Sequence, residues 1–144
     1  MSKYHLDLLW NNQLFNIEYR KYITKESMPE THYHPHYEIY YQLSGDRYYF
    51  IKDRTYQIQE GSLVLLNRED IHRTFSADKN TGERILINFG KEFLGGIKEA
   101  WLEEILSCFS DVKGVLQLDL SQKKEIEILL YKKLLRCFIL ALII

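Results

Sequence analysis

The chain of 144 residues is 46% hydrophobic and 14% aromatic, with eleven tyrosines, which excludes a disordered segment and allows one domain with a core of its own. Nineteen Lys and Arg against twenty Asp and Glu leave a net charge of −1, which excludes the basic footprint of a domain that grips nucleic-acid phosphates. The N-terminus lacks the apolar core of a secretion signal, and the apolar run 138–144 is far shorter than the ~20 residues of a spanning helix. A cytoplasmic protein with no membrane contact is expected. Cys108 and Cys137 lie far apart in no CxxC pattern and are expected to be buried free thiols.

Residues 1–12 carry Leu6, Leu8, Leu9 and Trp10, the pattern of an edge strand or a packed arm. His5, in that arm, reads as an ordinary surface residue. Phe15, Ile17 and Tyr19 then alternate with Asn16, Glu18 and Arg20, which predicts a strand. Residues 24–30, with Pro29, predict a loop. The stretch 32–45 follows: His32, His34, His36 and Glu38 share one parity, so an extended backbone puts their side chains on one face. Imidazoles and a carboxylate aimed one way suit a metal cluster, the polar rim of a pocket, or histidines satisfied within the fold. Pro35 requires an edge, a bulge or an unpaired segment at that point.

Strand 39–43 ends at Ser44-Gly45-Asp46, a hairpin signal. From 38 to 75 the pattern predicts a meander, with turns at 45–46, 53–54, 60–61 and 67–70, and strand 84–89 follows a polar loop. Short strands at such spacing predict an antiparallel barrel or sandwich. Strand parity nominates Tyr40, Tyr48 and Tyr56 as pocket-lining residues, since tyrosine joins an apolar body to a polar tip; packing in the core or on the outer face is the alternative. Arg20, Arg47, Arg73 and Arg84 read as solvated strand residues rather than ligands for an anion.

After Gly90 the period changes to that of a helix, with Phe93, Leu94, Ile97, Trp101, Leu102, Ile105 and Leu106 interrupted by Gly95-Gly96. Residues 114–120 read as extended. Ser121, or alternatively Asp119, caps a last helix whose stripe is Ile126, Leu129, Leu130, Leu134, Cys137, Phe138 and Ala141. That helix either pairs with a second copy or caps one sheet of its own barrel. The tail looks short for two full antiparallel helices.

The spacing His32-x-His34-x-x-x-Glu38, with Gly45 beyond, resembles the first cupin signature, and Gly61 with His72 resembles the second. Glu26 stands where the first signature has a glycine, and Asn67, Glu69 and Ser76 replace the proline, glycine and asparagine of the second. The wording from His32 to Gly45, then Tyr56 to Asn67 and Asp70 to Arg73, is similar to the N-terminal sensor domain of AraC-type transcription regulators. The likeness covers residues 14–90 and, more loosely, the tail. It implies a mainly β fold, a cupin-type antiparallel β-barrel (double-stranded β-helix or jelly roll) over 1–90, followed by C-terminal α-helices over 91–144 that dimerise. It also implies an effector-sensing module, not an enzyme, that binds a small molecule such as a sugar. Its contacts would be His32, His34, His36, Glu38, Tyr40, Tyr48, Tyr56 and His72. No resident cofactor is expected, although His32, His34, Glu38 and His72 form a donor set for a divalent metal. Binding would order the rim or the arm 1–12 and change how the tail presents a DNA-reading helix-turn-helix domain that is not part of this sequence. The competing reading is a stand-alone metal-dependent cupin enzyme, a dioxygenase or a sugar isomerase.

Overall fold

The computed structural model describes residues 8–10, 15–77, 81–111 and 114–143, without the side chains of 8–10, 111, 134 and 137–143. Among them the strands are β1 (Leu8–Trp10), β2 (Phe15–Tyr22), β3 (Tyr37–Ser44), β4 (Arg47–Ile51), β5 (Arg54–Ile58), β6 (Ser62–Leu66), β7 (His72–Ser76), β8 (Gly82–Phe89) and β9 (Val115–Gln117). A 3-10 turn at Lys91–Leu94 precedes α1 (Glu99–Asp111), and α2 (Leu120–Ile143) ends the chain. The strands form a six-stranded sheet, β1-β2-β8-β3-β6-β9, and a three-stranded sheet, β5-β4-β7, both antiparallel. Of the arm 1–12, only β1 lies within the described residues.

The meander expected over 38–75 is replaced by a jelly-roll path. β3 has β8 on one edge and β6 on the other, so β4 cannot pair with it and crosses to the smaller sheet. Gly45-Asp46 is therefore a corner between sheets and not a hairpin turn. Gly45 takes φ 79°, and a side chain there would collide with the carbonyl of Thr81, so the corner needs glycine on both counts. The chain changes sheet again between β5 and β6, between β6 and β7, and between β7 and β8. β4 and β5 do make a true hairpin: Ile51 faces Arg54 across the pair Lys52-Asp53, and Lys52 takes φ 57°.

Two faces of the large sheet are covered. Between the sheets, Tyr40, Tyr49, Ile51, Ile58, Val64 and Leu66 form one buried cluster. On the outer face Ile17, Tyr41, Leu43 and Ile85 pack under Leu118, Ile126 and Leu130, while Tyr37 and Phe89 pack under Leu94, Leu106 and Phe109 of the α1 region. This double cover explains why β3 is buried almost continuously, whereas β4 alternates, with Arg47, Tyr49 and Ile51 inward and Tyr48 and Phe50 outward.

The tail holds two helices of 13 and 24 residues, so it is not too short for both. Asp119, not Ser121, caps α2: its Oδ1 accepts from the Gln122 N–H at 2.9 Å, and its own N–H donates to Gln122 Oε1 at 3.0 Å. Glu127 of α2 accepts a hydrogen bond from the Tyr41 hydroxyl at 2.8 Å, fastening the helix to the sheet. Ile126 and Leu130 of the expected stripe meet the sheet, but Leu129 is exposed, and Leu134, Cys137, Phe138 and Ala141 lie outside the described side chains. Cys108 is exposed on α1, contrary to the expected burial. No helix among the described residues is long and apolar enough to cross a membrane.

Candidate functional site

His32 and His72, forty positions apart in sequence, are joined by backbone. Each N–H donates to the carbonyl of the other, at 3.0 and 2.9 Å, as an isolated antiparallel bridge. The bridge brings the two rings together, tilted by 60° with centroids 4.2 Å apart, and His34 adds a third ring edge-on to His72 at 4.8 Å. One ligating atom from each of His32, His34 and His72 lies within 4.8 Å of the others. Glu38 enters from β3, almost fully buried, with Oε2 2.9 Å from His34 Nε2 and 3.8 Å from His72 Nε2. Its other oxygen accepts from the Tyr49 hydroxyl at 2.7 Å.

The hydrogen bonds narrow the choice of tautomers. His34 Nδ1 lies 3.1 Å from the His36 carbonyl and so donates to it, while Nε2 faces the Glu38 carboxylate. Nε2 and the carboxylate therefore share one proton, which sits on the ring as an imidazolium when Glu38 is ionised. Burial opposes that charge, but the hydrogen bond and charge of Glu38 outweigh it and hold the His34 pKa above the ordinary imidazole value. Burial likewise pushes the Glu38 carboxyl up, and the His34 hydrogen bond, the His72 ring and Tyr49 together bring it below its usual range. His32 and His36 move the other way, lowered by burial and then by the neighbouring histidines.

The donor set also fits a first-row divalent metal: three imidazole nitrogens with a carboxylate beside them. The carbonyls of Asp70 and His36 take the Nδ1–H of His72 and His34, at 2.8 and 3.1 Å, leaving Nε2 as the donor atom of each. His32, His34, Glu38 and His72 would hold such an ion, which would displace the proton shared by His34 and Glu38.

Beside this cluster a cavity of about 610 Å³ opens between the sheets. His32, Glu38, His72 and Tyr49 line one part of it, and Arg20, Tyr22, Tyr40, Arg47, Thr74, Arg84 and Leu86 line more of it. Residues 24–29 make the lip. Ser76 pins that loop twice, with Oγ accepting from the Glu26 N–H and donating to the Glu26 carbonyl, both at 2.9 Å, and Met28 N–H donates to the Thr74 carbonyl at 2.9 Å. Below the lip lies a closed polar network. Gln42 donates to the Tyr22 hydroxyl and the Ser44 carbonyl, both at 2.6 Å, and accepts from the Tyr40 hydroxyl at 2.7 Å, so every capacity of its amide but one lone pair is filled.

A family model described as an AraC-like ligand-binding domain matches residues 18–132. The chain belongs to that family. No curated protein sequence matches it. Solved structures share the cupin fold at low identity. A cupin protein from Bacteroides fragilis is 16% identical, with a TM-score of 0.56 over 68% of this chain and 83% of that one. The cupin domain of Schizosaccharomyces pombe Cnp3 is 10% identical, with a TM-score of 0.54 over 66% and 72%. The DMSP lyase DddQ from Ruegeria pomeroyi is 15% identical, with a TM-score of 0.51 over 61% of this chain and 47% of that enzyme.

In this AraC-like domain His32, Glu38, Tyr40 and His72 line the cavity. His34 stands beside them in the histidine cluster, and His36 stacks flat on His34 at 3.9 Å; neither is a lining residue. The placement of Tyr48 and Tyr56 needs correction. Tyr48 points outward and stacks on Phe75 at 5.4 Å, and Tyr56 lines a separate cavity of about 380 Å³ with Ile51 and Phe109. The corner at Gly45 resets the inward register of β4, so Tyr49 takes the place expected of Tyr48. Sequence reasoning also missed Tyr22 and the lip, and it took Arg47 as solvated although it is only 5% exposed. Of the four arginines, Arg73 lies over Phe75, while Arg20, Arg47 and Arg84 line the cavity.

Proposed function

We propose that this domain senses a small-molecule effector for a transcription regulator and does not itself catalyse a reaction. The observation that carries this reading is the cavity of about 610 Å³ between the sheets, within the size range of small-molecule sites, with apolar ring faces and convergent polar groups. Tyrosine faces and a hydroxyl-rich network favour a carbohydrate-like ligand. The pinned lip 24–29 is the segment best placed to respond, because it bridges β2, which carries Tyr22, and the histidine stretch. Effector binding then shifts the population of lip conformations, and with it the presentation of α1 and α2. A second copy of the chain is the natural partner of α2. Ile128, Tyr131 and Leu135 recur at helical spacing and are more than half exposed. DNA contact would fall to a helix-turn-helix domain outside this sequence, acting in the cytoplasm.

The competing reading, a metal-dependent cupin enzyme, draws on one observation, the His32, His34 and His72 cluster beside Glu38. Two measurements separate them. A panel of sugars, sugar acids and amino acids is screened by thermal unfolding, and at least one member is expected to raise the melting temperature through linkage. A blank across the panel rejects the sensor. Elemental analysis of protein purified without chelator, beside His34→Ala, then bears on the enzyme: near one equivalent of metal, lost in the variant, would favour it.

A further inference from the structure

Arg47 is an unusual lining residue. Its guanidinium is buried, yet its hydrogen bonds go to neutral oxygens: the Glu26 carbonyl at 2.6 Å and Thr74 Oγ1 at 3.3 Å. Among the described residues no carboxylate lies within ion-pairing distance of it. Its Cζ also rests 5.0 Å from the centroid of the Tyr22 ring. Across the Tyr22–Gln42–Tyr40 network, Arg84 holds the matching position, its Cζ 5.7 Å from the Tyr40 centroid. One arm of Arg84 is held by Glu18, while Nη1 is buried without a partner among the described residues.

The carboxylates of the cavity are already engaged, Glu26 by Arg20 at 3.0 Å and Glu38 by His34 and Tyr49. Burying a guanidinium against neutral acceptors is costly unless a counter-charge arrives, and a fork of N–H groups matches a carboxylate or phosphate. Resting on the sensor reading, we propose that the effector is an anion. Its carboxylate or phosphate group is held by Arg47 and Arg84, and its carbon skeleton lies against Tyr22, Tyr40 and Leu86.

The test uses the full chain with three probes that share one skeleton, D-glucose, D-gluconate and D-glucose 6-phosphate, read by thermal unfolding and calorimetry. Gluconate, glucose 6-phosphate or both should bind at least roughly tenfold more tightly than glucose, with affinity falling as salt is added. A response to gluconate alone assigns a carboxylate, and a response to glucose 6-phosphate alone assigns a phosphate. Arg47→Gln should abolish the preference and Arg47→Lys should keep part of it; Arg84→Gln serves if Arg47→Gln does not fold. The inference is overturned if glucose binds as well as its anions, if none of the three binds, or if the folded glutamine variants retain the anion response. Glucose binding as tight as that of its anions, or a response confined to neutral members of the broader panel, would sink the anion and leave the sensor standing.

Discussion

Glu38 illustrates how one carboxylate organises a site. Buried between Tyr49 and His34, its carboxylate favours the charged form of His34 and is favoured by it, so the two pKa values move apart. The raised His34 value means that the folded state binds this proton more tightly. The stability so gained is complete below the ordinary imidazole range and fades as pH rises through the folded value. Glu38 acts in the opposite sense: its contribution is present above the ordinary carboxylate range and is lost as pH falls through its depressed folded value. His32 and His36, lowered on folding, subtract stability as pH falls below the ordinary imidazole range. An NMR titration of the imidazole carbon-bound protons should therefore find His34 titrating last as pH rises, after His32 and His36. In Glu38→Gln the His34 midpoint should fall; an unmoved midpoint would contradict the pairing.

Glycine has an equally local role at position 82. A Cβ there would be driven into the Tyr22 hydroxyl and the Ser44 carbonyl. Gly82→Ala should thus displace Tyr22 from the cavity flank and cost about 1–3 kcal/mol, measured by urea unfolding.

Among the elements, β3 and β4 teach the main lesson about legibility. Both alternate well enough to be found in sequence, and the inward set Glu38, Tyr40 and Gln42 on β3 follows from parity alone. The next strand does not inherit that parity, because the chain leaves one sheet for the other at Gly45. A local pattern can mark a turn there, but whether the strands on either side pair depends on which edges β6 and β8 already occupy. Tyr49 and Arg47 were hidden for this reason. The exposure of Cys108 has the same origin, since the covered face of α1 is set by Phe109 and Leu106 packing on Tyr37 and Phe89. Helix α2 was legible as an element, although its cap is Asp119, the second choice after Ser121. Its start is written in the reciprocal bonds of Asp119 and Gln122, and Asp119→Ala should cost about 1 kcal/mol in thermal or urea unfolding while leaving the effector response intact.

At the scale of the molecule, the large sheet is covered by its partner sheet on one side and by helices on the other, which leaves α2 with apolar residues to spare. Ile128 is 55% exposed and Leu135 60%. If a second copy covers them, sedimentation velocity should find a dimer, and Ile128→Glu with Leu135→Glu should give a monomer that keeps its far-UV spectrum. A wild-type monomer at all concentrations would remove the helix pairing from the proposal.

By itself the sequence determined the β-rich domain, the histidine–glutamate face, the helical tail and the family likeness, because alternation, turn residues and motif spacing are local quantities. Only the tertiary structure decided which strands share a sheet, that His32 and His72 lock together, and that Arg47 is buried. Those depend on pairing between segments distant in the chain, where one change of sheet resets which side of a strand faces the cavity.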